Sequence, residues 1–279
     1  MSPLTLPTFI CIGIQKAGTS WLYSMLKQHP EVLVSEPKEL HYFNREVNYR
    51  KGLDWYLSHF KGSGTVKAAG ELTPDYLWIR EEQKEIPGFE ATPNVPERMS
   101  QVLPDVRLIA ILRNPVTRAV SSYFHHIGAA RLSPNRRISE VGDQWGILSM
   151  GYYAAHLEHW FRHYPPERFQ ILIYEEDLAE DSRLGTLRSV FEHIGVDPAF
   201  EPGNPEARYN KRRSPFDYRL SRLSGRLQRA ARQYVPEFVK DSRFWDIPVS
   251  QRELDELEEH FRSHNERLAA LLGRRLPWG

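Results

Sequence analysis

Along the chain, short apolar runs alternate with stretches whose apolar residues recur at helical spacing. Phe9–Ile14 is almost wholly apolar, as a strand buried on both faces requires. Val106–Leu112 and Phe169–Tyr174 have the same character, and Glu31–Ser35 and Val66–Leu72 read as shorter extended segments. Helical spacing links Trp21, Leu22, Met25 and Leu26 ahead of Pro30. It also links Ala119, Val120, Tyr123, Phe124 and Ile127, and then Leu184, Leu187, Val190, Phe191 and Ile194, which Gly195 closes. Gly151–Tyr164 predicts another amphipathic helix, with Tyr153, Leu157, Trp160, Phe161 and Tyr164 on its apolar side. Buried strands alternating with helices predict an α/β protein.

The remaining stretches are less regular. Tyr49–Phe60 reads as a turn and a short helix. Arg80 to Pro104 is polar and proline-dotted, and fits either a loop or a helical excursion. Asp197–Pro205 is a linker, and Arg208–Ser214 is a basic loop. Arg219, Arg222, Arg226 and Arg229 line one stripe of a predicted helix whose other side carries Leu220, Leu223 and Leu227. Such a stripe is either a solvated face or an attractor of anions. Ser250 and Glu253 form a capping-box pattern that opens a last helix, with Leu254, Leu257, Phe261, Leu268 and Leu271 inward.

Chemistry concentrates where the first strand ends. Gly13-Ile-Gln-Lys16-Ala17-Gly18-Thr19-Ser20 joins strand to helix and places two hydroxyls in the helix's first turn. Glycines let the backbone approach an anion, and the helix N-terminus points free N–H groups at it, so the layout is that of a phosphate cradle. It is not a Walker A loop, in which lysine follows the last glycine. Here Lys16 precedes Gly18 by two residues and rises from the loop, and no apolar run ending in Asp supplies a magnesium carboxylate. The bland alternative is an ordinary strand-to-helix turn with small residues.

Two more segments belong with this loop. Glu36–Phe43 (EPKELHYF) follows one helix later, at what is the carboxyl edge of a parallel sheet, where ligands sit. Glu39 there is a candidate general base and His41 a reserve; two residues apart, both would face the cleft from an extended backbone. The same segment also reads as a surface loop whose Tyr42 and Phe43 merely pack. Arg113 stands at the end of the Val106–Leu112 strand, with Asn114-Pro115 opening a helix that carries Ser121 and Ser122. An arginine fork with Ser121 suits a second phosphate, although an arginine paired to a structural carboxylate fits as well. His156, His159 and His163 have a spacing that can hold a metal, but a solvated histidine face is the reading adopted, and no metal site is assigned.

Composition narrows the class. The 279 residues suit one large α/β domain or two small ones, and the net charge of +1 gives no global signal for nucleic acid. A single cysteine, Cys11, excludes a disulfide framework within the chain. The start, MSPLTLPTFI, lacks the pattern of a signal peptide, and no stretch approaches the roughly 18 apolar residues of a membrane span. The expectation is a soluble, cytoplasmic protein.

Taken together, GIQKAGTS, KELHYFN with the following Asn48–Tyr56 pattern, RNPVTRAVSSY, and the later GYYAAHLEHW and ILIYEEDL resemble the PAPS-dependent sulfotransferases, in particular the heparan-sulfate and related bacterial branch. The likeness runs in order from Phe9 to about Gly195, with a weaker tail. It implies a nucleotide-kinase-like fold, a parallel sheet flanked by helices, in one domain over residues 1–279 with its core at about 7–195 and the basic loop and C-terminal helices at 205–279. It implies PAPS (3′-phosphoadenosine 5′-phosphosulfate) as donor, PAP as product, no metal, and a hydroxyl-bearing carbohydrate or small molecule as acceptor. Lys16, Ala17, Gly18, Thr19, Ser20 and Trp21 then belong to the 5′-phosphate side, with Lys16 also meeting the leaving oxygen. Arg113 and Ser121 hold the 3′-phosphate, Lys211, Arg212 and Arg213 close over the nucleotide, and Glu39 is the base. One departure stands out: the heparan-sulfate enzymes have E-K-[ST]-P-x-Y where this chain has Glu71-Leu72-Thr73-Pro74-Asp75-Tyr76. Their cleft lysine is Leu72 here, which removes one cationic neighbour of Glu39.

Sulfuryl transfer is compatible with these residues on chemical grounds. It is an in-line displacement with charge building on the leaving oxygen, which a positioned lysine and a helix N-terminus neutralise. The rival classes are a small-molecule kinase, which needs a lysine after Gly18 and a magnesium carboxylate, and a nucleotide-binding module without catalysis.

Overall fold

In the computed structural model, the described residues are 6–62, 65–80, 94–207, 215–221, 223–234 and 249–278. Five strands form one parallel sheet in the order β2-β3-β1-β4-β5. They are β1 (Phe9–Gly13), β2 (Val32–Val34), β3 (Ala68–Leu72), β4 (Arg107–Leu112) and β5 (Phe169–Ile173). Each lies inside the apolar run that announced it, trimmed by one or two residues. β1 is central: Cys11 stands opposite Leu72 on one side and Ile109 on the other. Phe9, Ile10, Cys11 and Ile12 are wholly buried, which is why this strand carries no alternating polar residues.

Helices fill the crossovers. In chain order they are α1 (Thr19–Leu26), α2 (Glu46–Tyr49), α3 (Gly52–Leu57), α4 (Val95–Val102), α5 (Pro115–Gly128), α6 (Ile138–Val141), α7 (Tyr153–Trp160), α8 (Tyr174–Asp177), α9 (Arg183–Ile194), α10 (Pro215–Leu220), α11 (Gly225–Tyr234) and α12 (Gln251–Leu272). Their ends follow local chemistry. Asn114 caps α5 by accepting from the Val116 and Thr117 amides at 2.9 and 3.1 Å. Gly195 ends α9 at φ 80°. Ser250 and Glu253 form the reciprocal capping box of α12. α4 answers the open question over Arg80–Pro104 in part, since residues 81–93 lie outside the described residues.

Two sequence expectations need correction. The first of the three histidines, His156, is not on a solvated face. His156 is 4 % exposed, its Nδ1 accepting from the Ile79 amide at 3.4 Å and its Nε2 facing the Ser149 carbonyl at 2.8 Å. Among the described residues no cluster of three His, Cys, Asp or Glu side chains could hold a metal. The basic stripe at 219–229 is not one helix: the chain breaks between α10 and α11, where Ser224 Oγ accepts from the Leu227 amide at 3.4 Å. Leu223 and Leu227, expected on a covered side, are exposed.

The order of the sheet reverses around β1, since β1 leads outward to β2 and back to β3 before β4 takes its other side. A crevice opens at the carboxyl ends of strands at such a switch point.

Candidate active site

A cavity of about 740 Å³ occupies that crevice, and every strand delivers residues to it. Gln15, Lys16 and Gly18 to Trp21 arrive after β1, Lys38 and Glu39 after β2, Pro74 after β3, Arg113 after β4, and Tyr174 and Leu178 after β5. Ser121 and His125 reach it from α5 and Arg183 from α9.

The loop after β1 is shaped by Gly18, which caps α1 at φ 98°. A Cβ there would lie 2.5 Å from Leu178 Cδ2 and 3.3 Å from the Tyr174 ring, so no other residue fits without rearrangement. Thr19 and Ser20 open α1 and line the cavity, where first-turn N–H groups lack intrahelical partners. The Trp21 indole also lines it and donates to the Pro205 carbonyl at 2.8 Å. Ala17 departs from the expected set: its methyl is buried in the core and its N–H donates to the Ile14 carbonyl at 3.2 Å. It shapes the loop and has no donor left to offer an anion.

Arg113 ties the end of β4 to the loop after β1. Its Nη1 donates to the Lys16 carbonyl at 3.0 Å and its Nε to Thr117 Oγ1 at 3.1 Å. Its guanidinium lies 4.7 Å from the centre of the Tyr174 ring. Ser121 lines the same cavity, while Ser122 turns inward to donate to Gln15 Oε1 at 3.1 Å. The cationic side chains crowd one another. Burial depresses the Lys16 ammonium below its ordinary range, and the charges of Arg113 and Lys38 add to the effect. A bound anion relieves that strain.

Lys38, like Arg183 and His125 on the same lining, is a residue the sequence reading missed. Its Nζ donates to Thr19 Oγ1 and to Glu39 Oε1, each at 3.1 Å. It bridges the phosphate loop and the candidate base. Leu72, where the resembling motif has lysine, points into the core and is fully buried. The cation beside Glu39 therefore comes from its chain neighbour. Burial alone pushes the Glu39 carboxyl up, but the His41 hydrogen bond and then Lys38 outweigh it and hold the group at about 2. Glu39 is ionised at any physiological pH.

Glu39 and His41 do not share a face by strand alternation. The segment is a loop, His41 has φ 50°, and its side chain stands behind Glu39, with Nε2 3.5 Å from Glu39 Oε2. The bland reading of Tyr42 and Phe43 holds for their side chains, which are buried. Long-range bonds impose the loop's shape. Buried Glu71 accepts from the Leu40 amide at 3.1 Å, from Thr73 Oγ1 at 2.6 Å and from the Tyr76 hydroxyl at 2.9 Å. Thr73 Oγ1 in turn receives the His41 amide at 3.4 Å, and the Tyr76 oxygen receives the Tyr42 and Phe43 amides at 2.8 and 3.3 Å. The E-L-T-P-D-Y turn thus serves as the mould of the segment that carries the candidate base. Lys211, Arg212 and Arg213 lie outside the described residues.

Comparisons with known proteins agree with this architecture. The family model of the sulfotransferase domain matches residues 6–209. Human heparan sulfate glucosamine 3-O-sulfotransferase 6 is 29 % identical over 98 % of this chain and 74 % of its own length. Human heparan sulfate glucosamine 3-O-sulfotransferase 3B1 is 33 % identical over 68 % of this chain; the match spans 46 % of that relative's length. The crystal structure of a sulfotransferase from Alicyclobacillus acidocaldarius shares the fold, with a TM-score of 0.68 at 21 % identity and 98 % of each chain covered. A parallel sheet with a phosphate cradle after its central strand is the core of a sulfotransferase. The chain belongs to the sulfotransferase domain family, the PAPS-dependent enzymes of sulfuryl transfer.

Proposed function

We propose that this sulfotransferase moves the sulfuryl group of PAPS onto a hydroxyl of a carbohydrate or small molecule, with Glu39 as the base that takes the hydroxyl proton. The observation that carries the reading is the convergence of Lys16, Lys38 and Arg113 on one cavity in which Glu39 is the lone lining carboxylate among the described residues. These cations, with Arg183 on the same lining, suit a donor with phosphate at two ends; one ionised carboxylate suits an alcohol that loses its proton.

The loop from Lys16 to Ser20 holds the 5′-phosphosulfate in this reading, and Arg113 with Ser121 holds the 3′-phosphate. Lys16 neutralises the leaving oxygen, and Lys38 stands between donor and acceptor with a hydrogen bond to each side of the cleft. The acceptor oxygen gains a bond to sulfur as the bond from sulfur to the phosphate oxygen breaks. Its proton passes to Glu39. A carboxylate held near 2 is a weak base, and it suffices because the hydroxyl turns acidic only as the new bond forms. The relatives are named for a glucosamine hydroxyl of heparan sulfate; a carbohydrate acceptor is proposed for this chain by that likeness, and Leu72 in the motif argues against the identical polymer. A reducing, cytoplasmic setting completes the reading, supported by the lone Cys11, a free and fully buried thiol.

The test is incubation of the full chain with PAPS and a panel of glycans, phenols, lipids and peptides, followed by mass spectrometry for the gain of one SO₃ and by titration calorimetry with PAP and with magnesium-ATP. PAP binding with a sulfated product supports the reading. Failure to bind PAP, or tight binding of magnesium-ATP with phosphate transfer, overturns it.

A further inference from the structure

Side chains hold the peptide group between Arg113 and Asn114 at both of its polar atoms. The Tyr153 hydroxyl donates to the Arg113 carbonyl at 2.7 Å, and Glu175 Oε1 accepts the Asn114 amide at 3.0 Å. α5 opens just after this peptide, so its two polar groups need partners from elsewhere in the chain. A third residue meets both of those partners. Trp278, on the segment after α12, donates its indole N–H to Glu175 Oε2 at 2.8 Å. Its ring packs on that of Tyr153, with centres 5.9 Å apart and planes tilted by 57°. Glu175 is thereby a bridge, with one oxygen on the backbone beside Arg113 and the other on the indole.

We propose that Trp278 is a positioning residue for Arg113. By bracing Glu175 and Tyr153, the segment after α12 fixes the peptide from which Arg113 reaches the 3′-phosphate of the donor. The inference rests on the reading in which Arg113 holds that phosphate.

A guanidinium fork grips a phosphate well only when its own position is fixed, because a long side chain otherwise loses rotamer freedom on binding. The far end of Arg113 is fixed by the Lys16 carbonyl, Thr117 and the Tyr174 ring. The near end, its backbone, is fixed by the clamp that Trp278 braces. Tyr174 and Glu175 are chain neighbours on α8, so this one short helix supports both ends. The brace has its own footing: Leu276 is buried in the core, and Arg274 pairs with Glu176. Glu175 stands beside a site suited to anions, where a carboxylate that swung inward would repel the donor. An N–H donor on each of its oxygens keeps it turned to the backbone and the indole. Trp278 meets no substrate in this scheme and acts through Glu175 and Tyr153. Coupling of this kind is reciprocal, so a ligand that engages Arg113 must steady the segment that carries Trp278.

The experiment compares PAP with adenosine 5′-phosphate (AMP), which lacks the 3′-phosphate, by titration calorimetry on the full chain. The ratio of the two affinities isolates what the 3′-phosphate contributes. Trp278→Ala should weaken PAP by roughly 5-fold or more and leave AMP unmoved, the low end of couplings carried between sites. Trp278→Phe keeps a ring against Tyr153 and removes the N–H, and its ratio should fall between those of the wild type and Trp278→Ala. AMP binding reports a folded variant, and a merely structural brace would lower both affinities together. A wild-type ratio in Trp278→Ala overturns the proposal, and so does an equal loss of PAP and AMP. If neither variant folds, amide hydrogen exchange on the wild type decides: PAP should slow exchange in the peptide that carries Trp278 and AMP should not, and equal effects of the two ligands overturn the proposal. Arg113→Ala separates the two levels. If it loses the preference for PAP while the Trp278 variants keep it, this inference fails and the reading of Arg113 stands. If Arg113→Ala keeps the preference, that reading fails and the inference falls with it.

Discussion

Lys38 and Glu39, neighbours in the chain, meet again through their side chains, with Nζ 3.1 Å from Oε1. Adjacent residues in a strand point to opposite faces, so this pair forms only because the segment after β2 abandons extended geometry. The same ammonium reaches Thr19 Oγ1 at 3.1 Å. A single cation thus links a hydroxyl of the candidate phosphate loop to the candidate base.

Lys38→Ala is expected to lower kcat by on the order of 10², the cost of removing one donor aimed at developing charge. It should also raise the Glu39 carboxyl from about 2, because one of the two partners that hold it down is gone. The sign follows: a carboxylate with a depressed value stays ionised far into acid, so any acid limb due to Glu39 lies low in the wild type and moves to higher pH in the variant. Rates across pH 4 to 8 check this. A variant with wild-type kcat and an unmoved acid limb would remove Lys38 from the site.

Arg113→Ala is expected to weaken PAP binding by about 1.5–3 kcal/mol, for the loss of charged hydrogen bonds. Lys16→Ala should depress turnover more than PAP affinity, since its main partner is the leaving oxygen. The two effects should not add, because Arg113 also holds the Lys16 carbonyl at 3.0 Å and so positions the loop that carries the lysine. Calorimetry of the two single variants and the double variant with PAP measures the coupling. Additive losses would show that the bond to the loop has no functional weight.

Gly18→Ala is expected to fail for two separable reasons. The dihedral, φ 98°, costs a residue with a Cβ about 1–2 kcal/mol, and the new methyl meets Leu178 Cδ2 at 2.5 Å. Leu178→Ala removes the clash and leaves the dihedral. The double variant should therefore remain less stable than Leu178→Ala by about 1 kcal/mol, as read from urea denaturation, with PAP binding still impaired. Full recovery in the double variant would show that the clash alone excludes a side chain at this position.

All five strands were legible because each is buried on both faces, which leaves an uninterrupted apolar run in the sequence. The phosphate loop was legible because its glycine and hydroxyls are close in sequence. The neighbourhood of Glu39 was not. The shape of residues 38–43 comes from Glu71, Thr73 and Tyr76, more than 30 positions away, and no local pattern encodes those bonds. Lys38 did leave a signal, a cation flanking the candidate base, but an extended segment would have turned it away. His156 left one too: it lies three residues after Tyr153 and four before Trp160, on the face that both bury. The exposed Leu223 and Leu227 were misplaced because the helix breaks before Gly225, and the stripe was traced across the break.

The buried histidines make stability fall with acid. His156 is a neutral wedge: its Nδ1 accepts from the Ile79 amide, so the ring proton belongs on Nε2, against the Ser149 carbonyl. Burial drives its value down from 6.5 to about 4. Burial, followed by the charges of His125 and Arg131, drives His126 to about 3. In the unfolded chain both titrate near 6.5, so below that pH the unfolded state binds more protons than the folded one. Stability is full above about pH 6.5 and drains as pH falls towards 4, by on the order of 3 kcal/mol for His156 alone. Glu71 opposes the trend, since burial raises its carboxyl and the folded state then takes up a proton first. The difference between wild type and His156→Gln isolates the histidine. Urea midpoints at pH 7.5, 6 and 5 should fall for the wild type, and fall less steeply for His156→Gln, which starts lower through its lost hydrogen bonds. Parallel slopes in the two proteins would show that His156 takes up its proton in the folded state as readily as in the unfolded chain.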